Sequence, residues 1–72
     1  MSDKQIQEYL LNRIIDQLTG FLIEDHNLEL EEALNVVYNS KVFLLLQIKD
    51  ADLVSQSPAY IYELLKKEIV LN

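Results

Sequence analysis

Cysteine is absent from this 72-residue chain, and glycine, proline and histidine each occur once. Without cysteine there is no disulfide, no thiolate metal site and no thiol nucleophile. One histidine, His26, excludes a multi-histidine metal site. One glycine and one proline are too few for the many corners of an all-β fold, whereas long helices need few turn residues. Basic residues are scarce: six Lys and Arg against twelve Asp and Glu, a net charge of −6. Binding nucleic acid depends on cations that displace counterions from phosphates, so this balance argues against it, and against anionic membranes. It suits solubility and a basic protein partner.

Long apolar runs are missing too. The longest, Val42 to Leu46, is far below the ~20 residues that span a bilayer. Met1 to Glu8 is polar, unlike the basic and then apolar start of a secretory leader. The expected location is the cytoplasm.

What is present is aliphatic surface. Half the residues are hydrophobic, well above a disordered composition. At this length one domain is expected, 1–72, with a core that stabilises it only marginally. Small domains rely on a staple, and with disulfides gone the remaining options are dense packing or a partner chain.

Ser2 and Gln5 form a capping-box pattern that starts a helix. From Ile6 through Leu10, Leu11, Ile14, Ile15, Leu18, Phe21 and Leu22 the apolar residues recur at helical spacing. They cover about half the wheel, wider than the ~100° stripe of an ordinary surface helix. This predicts a central helix over 3–26, with Glu8, Asn12, Asp16 and Thr19 on its polar side. Gly20 inside it marks either a close helix approach or a bend. Asp25-His26-Asn27 is the stop, with Asn27 in a left-handed cap.

A second helix is predicted over 30–38, its apolar positions Leu30, Ala33, Leu34, Val37 and Tyr38 and its start crowded by Glu29, Glu31 and Glu32, which favour the positive end of the dipole. Over 41–47 periodicity alone does not separate a buried helix from a buried strand; the leucines and a Ser40 cap favour a short helix, read as a core segment. Ile48 to Gln56 is an irregular connection with Leu53 and Val54 turned inward and room for a brief extended piece. Ser57-Pro58 opens the last helix, with Ile61, Leu64, Leu65 and Ile69 as its buried stripe, Tyr60 and Tyr62 flanking it, and Glu63 paired with Lys67. The predicted fold is all-α: a compact bundle of three longer helices plus one short one.

Candidate chemistry is thin. Asp25-His26 with Glu24 and Glu29 is the one acid–histidine cluster, and without a second histidine or a placed nucleophile it reads as a solvated helix end. Asp50-Ala51-Asp52 with Ser55 resembles a fragment of a calcium loop but lacks the glycine, the distal Glu and enough oxygens. A helix-turn-helix around Asn39-Ser40 would offer leucines, not cations, to base edges. No catalytic, cofactor or metal residues are assigned, and the chain is expected not to be an enzyme. The expected activity is protein contact. Tyr9, Leu11, Ile15, Leu22 and Ile23 on the first helix are the candidate interface, because its broad apolar face exceeds what so short a chain covers, and a homodimer is one outcome. Glu24, Asp25, Glu29, Glu31 and Glu32 are the candidate acidic patch for docking a basic partner.

Leu30-Glu31-Glu32-Ala33-Leu34 leading to Val37-Tyr38-Asn39-Ser40, and Gln56 to Lys66 around Ser57-Pro58-Ala59-Tyr60, together resemble a family of short helical bacterial proteins with no assigned activity, over about residues 18–67. Ser57 to Tyr60 is the most specific part. Some members resemble components of two-gene toxin–antitoxin loci. The resemblance implies a bacterial, non-enzymatic accessory protein, with an antitoxin-like or regulatory role as the alternative, and assigns no site residues. The segment Ile48 to Ser55 departs from the family pattern, where a glycine is common.

Overall fold

In a computed structural model, residues 3–48 and 53–69 are described. Helix α1 spans Asp3–His26, α2 Leu30–Tyr38, α3 Lys41–Leu46 and α4 Pro58–Glu68, with a 3-10 turn at Leu53–Ser55. No strand occurs among the described residues, so the all-helical class and the predicted elements stand. The turn at Leu53–Ser55 occupies part of the stretch where an extended piece was considered. Ser2, Asp50, Ala51 and Asp52, and with them the initial cap and the calcium-like fragment, lie outside the described residues.

Each helix end has a chemical cause. Asn27 takes φ 54°, a left-handed conformation that asparagine tolerates better than most residues, and its N–H donates to the Ile23 carbonyl at 2.9 Å. This ends α1. At the start of α2 the Glu29 N–H donates to Glu32 Oε1 at 3.0 Å, one arm of a capping box. Ser57 Oγ accepts from the Tyr60 N–H at 3.2 Å, with Pro58 at the first helical position.

The start of α3 is closed from two directions. Ser40 Oγ donates to the Val37 carbonyl at 2.6 Å and accepts from the Phe43 N–H at 3.0 Å. The two preceding amides, Lys41 and Val42, donate to Glu68 Oε1 at 2.7 Å and Oε2 at 3.0 Å. A carboxylate from the last residue of α4 therefore caps a helix that begins 27 positions earlier in the chain.

At 1.5 Å per residue the 24 residues of α1 run ~36 Å, close to the 40 Å long axis of the molecule. It packs against α2, α4 and the 3-10 turn, and α3 packs on α4, α2 and the same turn. The core joins Leu18 and Leu22 of α1, Ala33 and Val37 of α2, Val42 and Leu46 of α3, and Ile61, Tyr62 and Leu65 of α4. Thr19, expected on the polar side, is buried instead, and its hydroxyl donates to the Ile15 carbonyl one turn back at 2.7 Å. That bond removes the cost of burying the hydroxyl.

Gly20 is exposed and α1 passes through it uninterrupted. A Cβ built there meets nothing within 4 Å, so no neighbouring helix requires its small size. Gly20→Ala is therefore expected to stabilise the protein by ~0.8–1 kcal/mol, the helix-propensity difference. A thermal melt followed by circular dichroism should rise by about 4–8 °C; an unchanged or lower midpoint would show that the glycine serves a contact.

Candidate interaction surface

The residues expected to form an interface on α1 separate into two groups. Ile15 and Leu22 are buried in the core of this chain. They present no surface to another molecule, which corrects that part of the expectation. The reason is geometric: α1 packs against α2, α4 and the 3-10 turn, and both residues belong to the core those elements enclose. Leu11 and Ile23 are half-buried and pack against the core. Tyr9 alone of the five is largely exposed, at 63%.

The tyrosines also separate. Tyr62, expected at the rim, is a core residue. Its hydroxyl donates to Asp25 Oδ2 at 2.6 Å, its ring lies 4.9 Å from Phe21, and Lys66 Nζ sits 5.4 Å over the ring. Burial first, then the hydrogen bond to Asp25, then the charges of Asp25 and Glu63 hold the phenol well above its ordinary titration range. Glu63 meets Lys66 at 2.8 Å rather than the expected Lys67, a surface pair of small energetic weight.

Glu24, Asp25, Glu29, Glu31 and Glu32 are all exposed around the α1–α2 junction. Three of them already serve the chain: Asp25 accepts from Tyr62, Glu32 from the Glu29 amide, and the Glu29 side chain from the Glu32 amide in the capping box. His26 is exposed in the last turn of α1, where a cation suits the dipole. Among the described residues no group of three His, Cys, Asp or Glu side chains converges to hold a metal ion, and no buried side-chain nitrogen or oxygen lacks a hydrogen-bond partner. An open cleft of about 380 Å³ lies between the first turns of α1 and the end of α3, lined by Lys4, Gln7, Glu8, Leu11, Leu46 and Gln47.

The surface that sequence reasoning missed is on α3. The run from Val42 to Leu46 was read as core, yet only Val42 and Leu46, four residues apart, are buried. Leu44 is 62% exposed, Leu45 43% and Ile48 51%. The helical turn continues past Leu46, since Gln47 N–H donates to the Leu44 carbonyl and Ile48 N–H to the Leu45 carbonyl. At ~100° per residue, Leu44, Leu45 and Ile48 share one side of α3, opposite Val42 and Leu46. A helix that is apolar all round is normally enclosed; here one side faces water. No Asp or Glu occurs between Glu32 and Asp50, and exposed Lys41 shares the side of Leu44 and Leu45. This is an apolar stripe on an acidic protein, with the Glu68 carboxylate seated at the first turn of the helix. The available signal was the absence of any polar residue from Val42 to Leu46, which a one-sided surface helix would not show.

Known protein families, characterised proteins and solved structures give no match to this chain, so these residues are read on their own geometry.

Proposed function

We propose that this protein is a non-enzymatic helical module that works by contact with another protein, and that the contact is made by the exposed stripe of α3, with a second copy of the chain as the occupant. The observation that carries this reading is the exposure of Leu44, Leu45 and Ile48 on one side of a helix whose other side is anchored by Val42 and Leu46. The charge distribution supports self-association there. Two copies each carrying a net charge of −6 repel, and least where uncharged side chains such as Leu44, Leu45 and Ile48 meet. The resemblance to small bacterial proteins fits a cytoplasmic accessory role. No helix among the described residues is long and apolar enough to cross a membrane.

Sedimentation velocity over a wide concentration range tests the reading. The wild-type mass is expected to rise with concentration, and more readily at high salt, where screening weakens the repulsion. Leu44→Glu/Ile48→Glu should stay monomeric with an unchanged helical spectrum. A wild-type monomer at every concentration removes self-association.

The second reading, an antitoxin-like or regulatory subunit, places a basic partner on the acidic junction, where Glu24 and Glu31 stand exposed. It predicts salt-sensitive capture that Glu24→Gln/Glu31→Gln weakens and the α3 double variant leaves intact.

A further inference from the structure

The Glu68 cap ties the shortest α-helix to the end of the last one. Helix α3 has six residues, well below the ~12–15 at which an isolated helix becomes even marginal in water. It is held by two buried side chains, Val42 and Leu46, by half-buried Phe43, whose ring meets Tyr38 edge-on at 5.0 Å, and by the closure of its first three amides. Glu68 closes two of those amides and Ser40 the third. Glu68 is also the final residue of α4, where helices fray. The two α3 amides lose their acceptor if the end of α4 unwinds, and the Glu68 carboxylate loses its donors if α3 does.

We propose that α3 and the last turn of α4 form one latch, locked by the Glu68 carboxylate, which opens as a unit while α1, α2 and the body of α4 stay folded. Closed, the latch presents Leu44, Leu45 and Ile48 in register. Open, it releases a chain segment that is apolar on every side. The device is a sub-global opening of the kind that native-state hydrogen exchange resolves, and it holds whatever molecule, if any, docks on α3.

Hydrogen exchange measured by NMR under native conditions, with two variants, tests it. In the wild type the amides of Lys41, Val42 and Phe43 should share one opening free energy with those of Lys66, Lys67 and Glu68. That energy should lie below the value for Leu18 and Leu22. Gly20→Ala stabilises α1 equally in the closed and the latch-open states. It should therefore slow Leu18 and Leu22, which exchange through global unfolding, by roughly fivefold and leave the latch amides unmoved. Glu68→Ala, made in the Gly20→Ala background to keep the fold secure, should speed the latch amides about tenfold, the effect of losing a charge-assisted cap. Three results would each overturn the proposal: slowing of the Lys41–Phe43 amides by Gly20→Ala, different opening energies for the two segments, or latch rates indifferent to Glu68→Ala.

Discussion

Leu22→Ala is expected to cost ~2–5 kcal/mol of folding stability, the range for emptying a fully buried leucine site. Leu22 has no exposed surface and sits with Leu18 at the centre of the core. For a domain of this size the whole stability is of order 4–11 kcal/mol, so the variant should melt about 10–30 °C lower, with part of the population unfolded at room temperature if the loss is at the high end. The same residue lay in the interface expected from sequence, and the two roles give opposite results. A contact residue, truncated, changes association and leaves the melting of a dilute monomer alone. Chemical denaturation at low protein concentration decides: an unchanged midpoint would return Leu22 to the surface. Leu11→Ala is the matched control, since that side chain is only half-buried and should cost less.

Tyr62→Phe should lose about 1–2 kcal/mol. The ring and its packing on Phe21 survive, so the change isolates one hydrogen bond to a carboxylate. Such a bond contributes ~1.5–3 kcal/mol, less here because exposed Asp25 regains water when the phenol is gone. The larger consequence is in the pH profile. The phenol titrates higher in the folded protein than in the unfolded chain, so the folded state keeps a proton that the unfolded state releases. The stabilisation is complete below the unfolded value of ~10 and is lost as pH climbs beyond it toward the raised folded value. The contribution of this one group to the slope is at most about 1.4 kcal/mol per pH unit. Lys66, raised by its bond to Glu63, acts in the same direction and also loses stabilisation at high pH. The difference between wild type and Tyr62→Phe, followed by denaturation from pH 8 to 11.5, is therefore the quantity to read. Parallel profiles would show that the hydroxyl is not held as described.

The helices themselves are written in local chemistry. Asn27, Ser40 and Ser57-Pro58 end or start elements through atoms within a few residues of each other, and the spacing of Ala33 with Val37 or Ile61 with Leu65 encodes a face without reference to the rest of the molecule. The bounds of α2 and the extent of α1 follow from such signals. The interaction surface did not follow. Periodicity ranks how apolar a face is, but not which of two apolar faces finds a neighbour. On α1 the broad face suggested excess surface, yet Ile15 and Leu22 are enclosed within the chain while Tyr9 stays exposed. On α3 unbroken hydrophobicity suggested full burial, yet a helix of six residues packed on α4, α2 and the 3-10 turn still leaves one side outward. Leu44, Leu45 and Ile48 are left facing out.

The sequence alone determined the all-helical class, the order of the helices, most of their starts, and the absence of any disulfide, because composition, capping and periodicity act over one or two turns. Only the tertiary structure decided which apolar sides are enclosed, that the Tyr62 hydroxyl meets Asp25, and that Glu68 caps α3. Those contacts join positions 26 to 37 residues apart. Their geometry is fixed by how long rods of unequal length lie against one another, a property that no single segment contains.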